Sequence, residues 1–149
     1  MGTAIVGIGN SLMQDEGVGV HVIRALADLS LPDGVALIDA GTSSDIAFDL
    51  DGYDRVIVVD AARGGEDPGT IYRFTEEAEF DVGEGRRACH DVGLLETLRE
   101  VARGTPDVLI LGVEPKEMGW GLDLSSVVRE SVPRVVEIVK RELRGYRCL

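Results

Sequence analysis

The stretch RVIVVD at residues 55–60 contains four consecutive β-branched residues between two charged ends. β-branched side chains favour extended backbone, and an unbroken apolar run is typical of a strand buried on both faces of a parallel sheet. This stretch is therefore predicted to be a central strand. Because the run ends at Asp60, the strand is predicted to place a carboxylate at its carboxyl end.

Similar apolar runs lie on both sides of this strand, and most alternate with segments of helical periodicity. Further strands are predicted at residues 4–9 (AIVGIG), 35–39 (VALID) and 107–113 (DVLILGV), with an edge strand at 70–74. Helices are predicted at residues 16–29, 44–50, 92–103 and 128–143, and a surface loop at 76–87. Pro133 is expected to split the last helix near Ser131, and Gly145 to occupy its C′ position.

Strands that alternate with helices indicate an α/β domain with a mostly parallel sheet. The chain has 149 residues, about the length of one domain, and shows no linker, repeat or low-complexity tract. We therefore expect a single domain over residues 1–149. In such sheets ligands bind outside the carboxyl ends of the strands.

Charge and composition limit the partners and the compartment. The chain has 27 acidic and 15 basic residues, a formal net charge of −12, so binding to nucleic acid or to an anionic membrane is not expected. No stretch reaches the ~20 apolar residues of a membrane span, and the first residues do not resemble a signal peptide. Two cysteines make no disulfide framework, which indicates a cytoplasmic protein. The sequence leaves the oligomeric state open.

Three polar residues fall near the predicted carboxyl edge of the sheet. Glu16 follows the first strand and its loop, Asp60 ends the central strand, and His90 precedes the third helix. Two carboxylates and an imidazole are suitable ligands for a divalent metal that keeps positions open for water or substrate. Such a metal can activate a water molecule or polarise a carbonyl.

Each of these residues also has a purely structural interpretation. Glu16 is in a position to complement a helix dipole, Asp60 to cap a turn, and His90 to be an ordinary loop residue. Asp15 is a second candidate carboxylate, although neighbouring helical residues point in different directions. Spacing alone favours Glu16 over Asp15 only slightly.

Two other kinds of site are less well supported by the sequence. Residues 7–9 (GIG) begin a dinucleotide fingerprint, but Leu12 stands at the third glycine position. Cys89 beside His90 has the composition of a thiol nucleophile and base, yet sequence neighbours rarely reach the required geometry. Trp120, between two glycines, is expected to make a local core contact rather than a contact with a partner.

Several stretches, taken together, resemble the hydrogenase maturation endopeptidases. The first stretch, GIGNSLMQDEGVG at residues 7–19, is similar to the opening motif of that family. Similar short motifs follow in the same order, DAGT at 39–42, VVDA at 58–61, HDVGL at 90–94 and GVEP at 112–115, and residues 124–143 resemble the final segment. The polar residues 43–48 depart from the leucine-rich stretch expected there.

The resemblance implies a three-layer α/β fold, with a mostly parallel twisted sheet and helices on both faces. It also implies proteolytic removal of a C-terminal extension from a nickel-iron hydrogenase large-subunit precursor after nickel insertion. The metal-binding residues of the family fall on Glu16, Asp60 and His90, the residues that topology selects. The metal is expected to be nickel already held by the precursor.

Residues beside these ligands are expected to shape the substrate cleft. Gly9 and Asn10 belong to the turn after the first strand, and Gly41 with Thr42 is expected to offer backbone or hydroxyl donors. Two alternatives remain open at this point. One is a non-catalytic chaperone that recognises the metal-loaded partner, and the other is a nucleotide-binding α/β enzyme.

Overall fold

A five-stranded sheet organises the part of the chain that the computed structural model describes, residues 2–42, 50, 52–75 and 107–147. Its order is β2-β1-β3-β5-β4. The strands are β1 (Thr3–Ile8), β2 (Val35–Gly41), β3 (Arg55–Ala61), β4 (Ile71–Thr75) and β5 (Asp107–Val113). All neighbours are parallel except β4, which pairs antiparallel with β5 at the edge. The predicted α/β fold with a mostly parallel sheet is confirmed.

Two helices pack on one face of this sheet. They are α1 (Val18–Ala27), which follows a 3-10 turn over Gln14–Gly17, and α2 (Ser126–Arg147). Their apolar faces and one face of the strands form a continuous core, contributed by Val18, Val22, Leu26, Ile57, Val59, Leu109, Leu111, Val128, Val135 and Val139.

The opposite face of the sheet forms a second core, and it is buried as completely as the first. Val58 and Ile110, which are neighbours in the β3–β5 register, are both 0% exposed there. Burial on both faces agrees with the expected three-layer arrangement. The predicted helices at 44–50 and 92–103 and the predicted loop at 76–87 lie mainly outside the described residues.

The C-terminal helix differs from its prediction in two ways. It continues through Pro133 without a split, and Gly145 lies inside it rather than at the C′ position. Val128 before the proline and Val135 after it are both fully buried in the same core. Because both segments gain from packing on the sheet, burial outweighs the hydrogen bond that proline removes.

An ion-pair network fixes α2 at the end of the sheet opposite the predicted site. Arg55, at the start of β3, donates to the Glu142 carbonyl at 2.9 Å and to its carboxylate at 2.6 Å. Arg73 on β4 donates to the same carboxylate at 2.8 Å. The amino end of β3 and the middle of β4 are thus tied to α2, while the carboxyl ends of β1 and β3 carry the candidate site. Within the described residues, no helix is long and apolar enough to cross a membrane.

Candidate functional site

The candidate site lies where the chain leaves β1 and β3, which are neighbours in the sheet. The chain passes from β1 through α1 to β2, which pairs with one edge of β1. The strand β3 pairs with the other edge of β1, and β5 lies beyond β3, so the strand order changes direction between β1 and β3. A crevice is expected at such a switch point, outside the carboxyl ends of the strands. Gly9 follows β1 directly, and its N–H donates to the Gly41 carbonyl at the end of β2, at 2.8 Å. Three strand ends therefore meet here.

Gly9 is the point at which Glu16 and Asp60 approach each other. Its φ is +130°, and a Cβ atom at this position would collide with the Glu16 carbonyl oxygen and lie 3.6 Å from Asp60 Oδ1. Only glycine allows the Glu16 backbone to come this close to the end of β1, and the Asp60 carboxylate lies within van der Waals range of the same position. The structure thus brings together two residues that are 44 positions apart in the sequence (16 and 60).

The loop between Gly9 and Glu16 is closed by its own hydrogen bonds. Asn10 accepts the Leu12 N–H on Oδ1 at 2.9 Å and the Met13 N–H on its carbonyl at 3.0 Å. The Glu16 N–H then donates to the Met13 carbonyl at 3.2 Å, within the 3-10 turn. Asn10 therefore shapes the turn that returns Glu16 to the sheet edge. The Glu16 and Asp60 side chains are both half-buried, as residues that face a cleft would be.

Asp15 has a structural role that local spacing did not reveal. It is 0% exposed, and its carboxylate accepts the N–H groups of Lys116, Glu117 and Ser125 at 2.7–2.9 Å. The Ser125 hydroxyl donates to it at 2.7 Å. With four donors, this carboxylate has little capacity left for a metal ion. The structure therefore separates the two acidic neighbours, with Asp15 holding the loop at 114–125 and Glu16 at the cleft.

The surroundings of Asp15 also set its ionisation. Burial alone would raise the pKa of Asp15, but the hydrogen bonds from Glu117, Ser125 and Lys116 favour the charged form and hold the pKa below its usual value. A carboxylate with a lowered folded-state pKa stabilises the fold above its unfolded-state pKa, near 4. That stabilisation is lost as the pH falls through the folded-state pKa.

We expect Asp15→Asn to lower the free energy of unfolding by about 2 kcal/mol near neutral pH, because the new amide group faces N–H donors. Urea unfolding followed by far-UV circular dichroism measures the change. The difference from the parent should shrink below about pH 4 and vanish once Asp15 is protonated in the folded parent. Asp123→Asn, in the same loop but exposed, is the matched control. Equal stability of the Asp15 variant and the parent near neutral pH would contradict this role.

Glu114, at the end of β5, is a buried carboxylate that the site prediction did not include. Its Oε1 accepts the N–H groups of Gly64 and Gly65 at 2.8 and 2.9 Å and the Tyr72 hydroxyl at 2.5 Å. These contacts fix the loop that follows Asp60. The sequence carried a usable signal, since Glu114, like Asp60, is an acidic residue at the end of a buried strand.

The structure describes some of the remaining predicted site residues and not others. Gly41 uses its carbonyl for Gly9 and its N–H for the Asp39 carboxylate, at 3.1 Å, whereas Thr42 is exposed just beyond β2. His90 lies outside the described residues. Within the described ranges, no three His, Cys, Asp or Glu side chains form a group that could hold a metal ion. The structure thus brings the Glu16 backbone and the Asp60 carboxylate to the end of β1, and carboxylate oxygens are suitable ligands for a divalent cation.

Comparison with known proteins gives consistent matches. A family model described as hydrogenase maturation protease matches residues 20–142. The coenzyme F420 hydrogenase subunit delta of Methanothermobacter thermautotrophicus is 32% identical over 149 residues, which cover 93% of this chain and 92% of the relative. A putative hydrogenase maturation protease of Methanocaldococcus jannaschii is 31% identical, with 94% and 95% covered. The structure of the hydrogenase maturating endopeptidase HybD from Escherichia coli matches with a TM-score of 0.79 and 27% identity, covering 98% of this chain and 94% of that one.

Proposed function

Because the chain belongs to the hydrogenase maturation protease family, we propose that it removes a C-terminal extension from the large-subunit precursor of a nickel-iron hydrogenase, after nickel insertion. The chain is an endopeptidase of this family. The precursor as substrate, the recognition of nickel and the roles of the site residues belong to the proposal. The proposed compartment is the cytoplasm, because two cysteines in 149 residues form no disulfide framework.

The approach of Glu16 and Asp60 at Gly9 is the observation that carries the proposal. Both acidic side chains stand at the switch point of the sheet, half-buried, on segments held in place by Asp15 and Glu114. The Asp60 carboxylate accepts the Ala61 N–H on Oδ1 at 2.8 Å, which fixes its direction at the end of β3. Two acidic residues that the fold carries to one edge of the sheet are suited to bind a cation presented by a substrate.

In this proposal nickel is part of the substrate, held by the precursor before cleavage. Glu16, Asp60 and His90 are the residues that contact it and so align the scissile peptide with the cleft. The bound ion supplies either a polarised peptide carbonyl or an activated water molecule. The Thr42 hydroxyl, exposed beside Gly41, is the proposed donor to the substrate backbone.

The nucleotide-binding alternative is disfavoured by the loop that follows β1. Leu12, at the third glycine position of the dinucleotide fingerprint, is 52% exposed, and the acidic residues Asp15 and Glu16 occupy the turn where a pyrophosphate would bind. A helix start that binds phosphate offers free N–H groups and no opposing carboxylates. The chaperone alternative would use the same residues to recognise the metal. Only a test for cleavage of the precursor distinguishes a chaperone from a protease.

The proposal is tested by intact mass measurement of a nickel-loaded precursor incubated with the chain. A loss of mass equal to a C-terminal peptide, at catalytic amounts of the chain, is the expected result. Binding without a change in precursor mass would instead establish the chaperone alternative. Saturable binding of a nucleotide in place of the precursor would establish the nucleotide-binding alternative.

We expect Gly9→Ala to reduce kcat/KM for precursor cleavage by roughly 100-fold or more, because its Cβ would push the Glu16 backbone away from Asp60. Gly65→Ala is the matched control, since Gly65 also has a positive φ, +84°, but a Cβ atom added there would have no neighbour within 4 Å. Both variants place a side chain at a positive φ, +130° and +84°, and only the Gly9 variant brings a Cβ atom against site residues. Equal cleavage by the two variants would contradict the role of Gly9.

A further inference from the structure

Three exposed apolar side chains occupy neighbouring positions beside the candidate site. Leu12, Trp120 and Leu122 are 52%, 81% and 66% exposed, and we call them the apolar patch. The predicted core contact of Trp120 is therefore wrong. The Gly121 N–H donates to the Leu12 carbonyl at 2.8 Å, and the Gln14 N–H donates to the Gly121 carbonyl at 2.9 Å. The two segments that carry the patch are thus joined by backbone hydrogen bonds.

The patch is held by the same interactions that order the site. Gln14 accepts the Gly119 N–H on Oε1 at 3.1 Å, directly before Trp120 in the chain. Asp15 fixes the Ser125 end of the same loop, beyond Leu122. A surface fixed before binding loses little conformational entropy when it is covered. Exposed tryptophan held in this way is typical of a residue that anchors an interface.

The position of the patch connects it with the candidate cleft. Leu12 lies in the loop whose two ends, Gly9 and Glu16, meet at the sheet edge. Backbone hydrogen bonds join this loop to the segment that carries Trp120. The patch therefore lies on the loop that borders the proposed cleft and on the segment bonded to it.

Charge and area favour a polypeptide partner over the other possible occupants. The chain has a net charge of −12, and exposed Glu117 and Asp123 lie in the loop that carries Trp120. Two copies would repel each other, and three side chains cover far less than the ~800 Å² per partner of a stable protein interface. An anionic lipid surface would be repelled as well. A segment with both apolar and cationic side chains complements these features.

We infer that the apolar patch is a docking subsite for a segment of the precursor that adjoins the cleaved bond and carries apolar and cationic side chains. The inference rests on the proposed function and adds a binding determinant outside Glu16, Asp60 and His90. Trp120 supplies the largest contact, and Leu12 and Leu122 flank it.

The single tryptophan gives a direct test, because 5-fluorotryptophan introduced into this chain yields one ¹⁹F resonance, from Trp120. Titration with unlabelled nickel-loaded precursor is expected to shift that resonance saturably. The inference would be overturned if the precursor caused no shift and the resonance moved instead as the concentration of the chain alone increased. A shift caused only by vesicles of phosphatidylcholine and phosphatidylglycerol would overturn it as well.

Kinetics of variants provide a second readout. Trp120→Ala is expected to raise KM roughly 10-fold or more with kcat changed by less than about 2-fold, and Trp120→Phe to restore most of the affinity. The control is Leu29→Ala, because Leu29 is 42% exposed and lies beyond the far end of α1. Equal KM values for Trp120→Ala and the parent, together with an unshifted ¹⁹F resonance, would overturn the inference. Cleavage by the parent would still support the proposed function in that case. Absence of cleavage by the parent would remove both.

Discussion

Glu16→Gln and Asp60→Asn are each expected to lower kcat/KM for cleavage of the nickel-loaded precursor by at least about 100-fold. Each change replaces a carboxylate with an amide of nearly equal size, so ligation weakens while packing is kept. Both side chains are half-buried at the cleft, and we expect the free energy of unfolding to change by less than about 1 kcal/mol. Cleavage is followed by intact mass of the precursor, and stability by urea unfolding.

The matched control is Glu66→Gln, the same chemical change at an exposed position in the loop after β3. It should cleave like the parent. If Glu16 and Asp60 act as one unit, as proposed, the double variant should lose less than the product of the two single losses. His90→Gln is expected to behave like the single variants. Full cleavage by all three single variants would eliminate the proposed site.

The largest effect on stability is expected for Val58→Asp. Val58 is 0% exposed at the centre of β3, paired with Val6 on one side and Ile110 on the other. An unpaired carboxylate there would cost several kcal/mol, a large part of the ~5–15 kcal/mol that stabilises a domain. Thermal and urea unfolding followed by far-UV circular dichroism are expected to show a much lower midpoint or no folded population.

Val58→Thr provides a graded comparison for this position. Threonine keeps the shape of valine but buries one hydroxyl, so we expect a smaller loss, of about 1–3 kcal/mol. A Val58→Asp variant that unfolds at the parent midpoint would contradict the placement of β3 between two packed layers.

The strands were predictable from sequence because their signal is local. The run at 55–60 corresponds to β3 (Arg55–Ala61), and the run at 70–74 to the edge strand β4 (Ile71–Thr75). The uninterrupted course of α2 was not predictable in the same way. Pro133 is a local signal for a break, and burial of Val128 and Val135 against the sheet outweighs it, whereas the helix also continues through Gly145, for which we have no such packing reason.

In the candidate site, too, the features set by local sequence were predictable and those set by distant partners were not. Topology placed Glu16 and Asp60 at one edge of the sheet, and the geometry at Gly9 brings these segments together. The roles of Asp15 and Glu114 depend on partners roughly 40–110 residues away, such as Ser125 for Asp15 and Gly64 for Glu114. Helical periodicity and spacing carry no information about such partners. They also carry no information about the pairing of Gly121 with Leu12 and Gln14, beside which Trp120 is exposed.

The dependence of cleavage on nickel in the precursor tests the proposed mechanism most directly. The measurement is the intact mass of the large-subunit precursor, prepared with and without nickel, after incubation with equal amounts of the parent chain. We predict cleavage of the nickel-loaded precursor and none of the nickel-free form, because Glu16, Asp60 and His90 would lack the ion they recognise. Equal cleavage of the two forms would contradict recognition of substrate-bound nickel by this site.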